Sequence, residues 1–143
     1  MKKILIPIDE KESVKTMELA KQYATQFGAE LVIVHVKRRF EVEGHVPWNF
    51  DEVKEPEVRK AVEAYARTTV EKAADFFKDT GIKVTTEILS GHIASEICDY
   101  ADNNNCDLIM INSHGHGAVE RFLIGGVTSR VVHHSNVPVL VVR

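Results

Sequence analysis

Five short strand-like runs spaced along the chain, four of them aliphatic, limit its fold more than any other feature. They cover residues 3–8, 31–36, 84–89, 108–111 and 137–142, and the first is apolar throughout after Lys3. A strand that alternates apolar and polar residues has one wet face, whereas one that is aliphatic throughout is buried on both. Between the runs lie stretches with helical period. Ser13 is placed to cap one whose apolar positions Val14, Met17, Ala20, Tyr23, Ala24 and Phe27 fall three or four apart, ending at Gly28. A second covers 57–78, with Val58, Ala61, Val62, Tyr65, Val70, Ala73 and Phe77 on one side. A third opens at Gly91, carries Ile93, Ile97 and Ala101, and ends in the turn Asn103-Asn104-Asn105, and a fourth covers 127–134. Strand and helix therefore alternate. The fold class is α/β: a five-stranded parallel sheet with helices on both faces and right-handed crossovers.

A chain of 143 residues suits one domain, taken as residues 1–143, and buries roughly 70% of its unfolded surface without disulfide staples. Cys98 and Cys106 each stand where a small buried hydrophobe would serve and are read as reduced core thiols. A net charge of -3 argues against a nucleic-acid partner. The apolar run at the N-terminus breaks at Pro7 and meets Asp9, too short for a signal peptide or a membrane span, so no membrane partner and a cytoplasmic location are expected. Residues 37–56 read as the longest loop, with Gly44, Pro47, Trp48 and Phe50, and loops of that length are commonly lids or binding segments. Trp48 and Phe50 would cover a pocket mouth, pack on a neighbouring subunit or anchor the loop. Lys37-Arg38-Arg39 forms a solvated basic rim at its start.

In parallel α/β sheets ligands bind beyond the carboxyl ends of the strands, which puts the loops after Ile8, Val36, Leu89 and Ile111 in question. The last of these carries Asn112-Ser113-His114-Gly115-His116-Gly117 and, further on, Gly125-Gly126-Val127-Thr128 at a helix start. Glycines let backbone approach an oxygen-rich ligand, and a helix N-terminus offers free N–H groups with a partial positive charge. The hydroxyls of Ser113, Thr128 and Ser129 are placed to donate to phosphate oxygens, while Val119, Phe122, Leu123 and Ile124 would pin the loop to the core. Two ordinary turns would use the same glycines, and composition does not separate the two readings. The segment has no Gly-Lys-Ser/Thr, so it is not a Walker A loop. It also lacks the third glycine of the dinucleotide fingerprint, Glu120 standing there.

In order and spacing these motifs resemble the universal stress protein family over essentially the whole chain. The resemblance rests on the strand running into Pro7-Ile8-Asp9, the Ser13 helix, Val34-His35-Val36, Asn112-Ser113-His114-Gly115, Gly125-Gly126-Val127-Thr128 and the ending Val137-Pro138-Val139-Leu140-Val141-Val142. It implies a Rossmann-like sheet of order 3-2-1-4-5 and a homodimer. One branch of that family binds ATP through Gly-x2-Gly-x9-Gly-Ser/Thr after the fourth strand, and another lacks the motif and does not bind. Here Asn112 stands at the first position, Gly115 at the second, Gly125 at the third and Gly126 where Ser or Thr is expected. A missing hydroxyl removes a hydrogen bond worth about 0.5–1.5 kcal/mol, a weakening of about tenfold. The retained spacing favours the binding branch. By resemblance Pro7, Ile8 and Asp9 line the adenosine end, with Asp9 accepting from ribose hydroxyls or the adenine amino group. Val36 offers backbone groups to the adenine edge, and Ile111 and Asn112 flank the sugar. Gly115, Gly125, Gly126, Val127 and Thr128 hold phosphates. The implied cofactor is ATP or another adenine nucleotide (ADP or AMP), with any Mg or Mn carried by its phosphates.

Seven histidines invite a metal site, but His133 and His134 point about 100° apart on a helix, and His114 and His116 have no carboxylate or thiolate near in sequence. No metal ligands are expected, and the helix-end pair suits a negative dipole end. No catalytic residue is expected either, since Ser113-His114 adjacency does not make a triad and no general base or cationic clamp flanks the phosphate loop. His35, inside an aliphatic strand, reads as a satisfied structural residue. Pro138 is at home near the start of an edge strand, and the implied order makes the last strand an edge. A bare apolar edge invites pairing, so a homodimer through Val137–Val142 is expected. The leading reading is a cytoplasmic regulatory module that binds an adenine nucleotide and signals to a protein partner. The alternatives are a dimeric interaction protein without nucleotide, favoured by Asn112 and Gly126, and a slow ATP hydrolase.

Overall fold

The computed structural model describes residues 1–9, 14–38, 40–42, 46–48, 56–113 and 125–143, with the side chains of 38, 40–42 and 46–48 excepted. Along the chain run β1 (Lys3–Pro7), α1 (Val14–Phe27), β2 (Glu30–Arg38), β3 (Phe40–Val42), β4 (Val46–Trp48), α2 (Pro56–Asp75), β5 (Val84–Gly91), α3 (Ile93–Asn103), β6 (Leu108–Asn112), α4 (Gly126–His134) and β7 (Val139–Val142). Five of the strands form one parallel sheet in the order β5-β2-β1-β6-β7. Counting only that sheet's strands, this is the order 3-2-1-4-5.

Why β1 lies at the centre follows from its residues. Ile4, Leu5 and Ile6 retain no exposed surface, because Ile4 and Ile6 pack with Leu31, Ile33, Met17 and Val70 on the α1–α2 face. Leu5 packs with Val32, Val34, Ile97, Ile109 and Val131 on the α3–α4 face. Fully burying each such side chain contributes about 1.5–3 kcal/mol. The sheet is thus the middle of three layers, with a separate core on each side. Cys98 and Cys106 are buried free thiols in the second core, as expected, and burial raises the pKa of both.

Helix α1 ends where Gly28 takes φ +65 and the Ala29 N–H donates to the Ala24 carbonyl at 3.0 Å, a left-handed cap that glycine adopts without Cβ strain. The expected Ser13 cap lies outside the described residues.

Three expectations need correction. Residues 37–56 are not simply loop: β2 continues to Arg38, paired with β5 as far as Gly91. Phe40–Val42 and Val46–Trp48 then form an antiparallel pair, with Phe40 opposite Trp48. Aromatic and β-branched residues suit such a pair, and Pro47 is compatible because this small sheet has only edges. The second helix stops at Asp75, not 78, because the N–H groups of Phe76, Phe77 and Lys78 bond three residues back and tighten the last turn. Its apolar stripe also shifts. Ala66, Thr69, Val70 and Ala73 are buried, whereas Val58 and Tyr65 are 39% and 45% exposed. Finally, β7 begins at Val139 instead of 137, with Pro138 just outside and its carbonyl accepting from the Ile109 N–H.

The described ion pairs gather at the amino edge of the sheet. Glu30 bridges Lys83 at 3.1 Å and Lys3 at 3.4 Å, and these ammonium groups, Lys83 first, lower its pKa. Asp107 accepts the N–H groups of Lys2 and Lys3, which lowers its pKa too. Among the described residues no helix is long and apolar enough to cross a membrane.

Candidate functional site

The opposite edge of the sheet carries the candidate site. From β1 the chain proceeds to one side, to β2 and β5, then crosses back to β6 on the other side of β1. The carboxyl ends of β1 and β6 therefore flank a crevice that no connection crosses, the usual ligand position in such sheets. The β1–β6 ladder pairs Ile4 with Leu108 and Leu5 with Ile109, and Pro7, Ile8, Ile111 and Asn112 follow beyond it at the carboxyl ends of the two strands.

Backbone alternation gives the directions. Ile109 and Ser113 donate their N–H groups to Pro138 and Val142 on the β7 side, so the intervening Asn112 turns its N–H and carbonyl toward β1. On β2, the Val34 carbonyl accepts from the Ile8 N–H at 2.8 Å. The backbone of Val36, two residues on, faces the same way and overlooks the space beyond the end of β1. Beneath it the His35 Nδ1 lies 3.1 Å from the Ile8 carbonyl and donates to it in the Nδ1–H tautomer. The ring of Tyr65 stands edge-on to His35 at a centroid distance of 6.0 Å. His35 is thus a satisfied structural residue, as its sequence context suggested. Tyr65, read as a core position, instead buttresses that histidine, and helical periodicity carried no signal for the role.

Helix α4 starts over the same edge. Its N-cap is Gly125, at φ -58 and ψ 157, with no side-chain cap. The Gly125 N–H donates to the Ser113 carbonyl at 3.1 Å, and the Ser129 N–H returns to the Gly125 carbonyl at 2.9 Å. Thr128, 2% exposed, donates its hydroxyl to the Asn112 carbonyl at 2.8 Å. The N–H groups of a helix's first turn lack intrahelical acceptors and carry its positive dipole end. A Cβ at Gly126 would meet nothing within 4 Å.

Of the residues singled out in the sequence, Pro7, Ile8, Asp9, Val36, Ile111, Asn112, Gly125, Gly126, Val127 and Thr128 all fall along this edge. Asp9 is exposed at its rim, and Val36 and Ile111 are buried. Two donors expected for phosphate are engaged within the protein, the Thr128 hydroxyl on Asn112 and the Gly125 N–H on Ser113. Gly115, His114, His116, Phe50 and the apolar quartet Val119, Phe122, Leu123 and Ile124 lie outside the described residues. Ser113 was singled out for its hydroxyl, yet its backbone is what joins β7 to α4, a role no local pattern announces. His133 and His134 occupy the last turn of α4. Among the described residues no three His, Cys, Asp or Glu side chains converge as a metal site would require. A separate hollow of about 190 Å3 is lined by His92, Ala94 and Ser95 at the start of α3 and by Arg130 and His134 of α4.

Fold and crevice together define an α/β protein whose 3-2-1-4-5 sheet has an open switch point between β1 and β6. The chain belongs to the universal stress protein family, which matches it over residues 1–143. It is 32% identical to the universal stress protein YxiE of Bacillus subtilis over 149 residues, covering 99% of this chain and 98% of that protein. The structure of protein MJ0577 from Methanocaldococcus jannaschii is 30% identical, superposes with a TM-score of 0.80, and covers 99% of this chain and 94% of its own. The universal stress protein of Archaeoglobus fulgidus in complex with dAMP has a TM-score of 0.71, covering 100% of this chain and 98% of its own. At 20% identity that likeness shows the fold.

Proposed function

We propose that this chain binds an adenine nucleotide, ATP, ADP or AMP, at the carboxyl ends of β1 and β6, and acts as a cytoplasmic regulatory module. The observation that carries the reading is the first turn of α4, held over the β1–β6 crevice by the Ser113–Gly125 and Asn112–Thr128 bonds. Phosphates would lie at that helix start, on the N–H groups of Gly126 and Val127, with Gly115 in the connecting segment. The base and sugar would lie toward Pro7, Ile8, Asp9, Val36, Ile111 and Asn112. The Archaeoglobus protein of this fold holds dAMP, and carrying that ligand class over is part of the proposal. Any Mg or Mn would be held chiefly by the phosphates.

The module would work as a homodimer. β7 is an edge strand of apolar residues, and the β6 ladder uses the even-numbered side of its backbone, as the bonds from Ile109 to Pro138 and from Ser113 to Val142 illustrate. The N–H groups of Val139 and Val141 therefore point to the open edge, where a second copy would pair. Nucleotide would regulate by binding one arrangement of the site better than another, altering the face offered to a protein partner.

The test is to purify the protein without added nucleotide, denature it and chromatograph what it releases, then measure uptake of added ATP by calorimetry. Near-stoichiometric ATP, ADP or AMP, or saturable uptake, is the expected result. No release and no uptake would leave the alternative reading, a dimeric interaction protein without nucleotide, favoured by the two internally engaged donors.

A further inference from the structure

We infer that Thr128 is a positioning residue of the crevice and not a ligand in it: its hydroxyl aims the first turn of α4 through the Asn112 carbonyl. The inference deepens the nucleotide reading and rests on it. A threonine inside a helix commonly bonds a carbonyl three or four residues back. Thr128 is the third residue of α4 and reaches instead to a carbonyl 16 residues back, at the end of β6.

The side on which it bonds is what matters. Asn112, the last residue of β6, turns its carbonyl toward β1, and the next carbonyl, that of Ser113, accepts from the Gly125 N–H. Helix α4 is therefore tethered to two successive carbonyls at the end of β6, Thr128 to Asn112 on the crevice side and Gly125 to Ser113 beyond it. Two tethers set the helix start in rotation as well as in position, and with it the N–H groups of Gly126 and Val127. Thr128 itself is 2% exposed, and a hydroxyl carries one proton. With that proton on Asn112, none remains for a phosphate oxygen.

The consequence is a selective loss. Without the hydroxyl, a helix of nine residues keeps its fold but loosens at its first turn, where phosphates would lie. Pro7, Ile8, Asp9 and Val36, assigned to the adenosine end, belong to other strands and are untouched.

The experiment compares wild type, Thr128→Val and Thr128→Ser, with ATP and adenosine as separate calorimetric titrants. Hydrogen exchange of the unliganded proteins is followed in parallel over residues 125–131. Valine should weaken ATP about five- to tenfold, leave adenosine within about twofold, and speed exchange at the start of α4 but not in α3. Serine should restore both readouts. Unchanged ATP affinity in the valine variant, or equal losses for ATP and adenosine, would overturn the inference. Should wild type take no ATP, the nucleotide reading fails, and unchanged exchange in the valine variant would then overturn the positioning role as well. Thr128→Ala replaces the valine variant if that one does not fold.

Discussion

Replacing Gly126 by aspartate should raise the stability of the protein while weakening its hold on nucleotide. Gly126 is the first residue of α4, exposed, with ordinary backbone and open space where a Cβ would go. An acidic side chain there faces the positive end of the helix, a stabilisation of about 0.3–1 kcal/mol. Loss of glycine freedom in the unfolded chain adds about 0.4–1 kcal/mol. For a chain this long the melting temperature should rise by about 2–7 °C without nucleotide.

Phosphate on the same turn would meet that carboxylate at about 5 Å. The repulsion amounts to about 1–3 kcal/mol per pair of charges, between the limits of bulk water and a partly buried site. ATP affinity should fall about 5- to 150-fold, with the loss shrinking as salt rises toward about 0.5 M. Gly126→Ser, which supplies the hydroxyl that the family motif carries at this position, should bind ATP up to about tenfold more tightly than wild type. Thermal melts without nucleotide and calorimetry at two salt concentrations measure both effects. An aspartate variant that binds ATP as wild type does would show that phosphates do not lie at the start of α4. A lowered melting temperature would refute the open-space argument.

Val141→Pro removes an N–H that points to the open edge of β7 and spares the ladder to β6. Sedimentation should show the proposed dimer in wild type and monomer in the variant, and a dimer surviving the change would exclude pairing through this strand. Met110→Ala, at a position with no exposed surface in the sheet, should cost about 2–5 kcal/mol in urea unfolding. Ile88→Ala on the edge strand β5, where the side chain is 37% exposed, should cost clearly less. Asp107 is held as a carboxylate by the Lys2 and Lys3 N–H groups, so its folded pKa lies below its unfolded value. Its contribution is then present above the ordinary carboxylate range near pH 4 and is lost as pH falls through the folded value. The gap in melting temperature between wild type and Asp107→Asn should therefore be widest at neutral pH and close on acidification; a gap that persists in strong acid would count against the assignment.

What the sequence determined by itself is the layer plan. Runs such as Ile4–Leu5–Ile6 read correctly as doubly buried strands because a residue's local pattern reports which of its faces meet water. Gly28 marked a helix end because its conformation is a local property, and the alternation of elements put four loops at the carboxyl edge, while only the family resemblance supplied the strand order that singles out two of them. The signal failed where neighbours distant in sequence decided the outcome. The stripe through Val58 and Tyr65 has the right period, but α2 buries only its later half, from Ala66 onward. Pro47 marked a loop, yet a two-stranded pair with only edges accommodates it. Thr128 carried the chemistry of a phosphate donor, and only the tertiary structure set its hydroxyl on Asn112. Ser113 joins β7 to α4 through hydrogen bonds to residues far along the chain. Periodicity describes a residue's own few turns, whereas a hydrogen bond across the fold depends on where the whole sheet brings the two ends together.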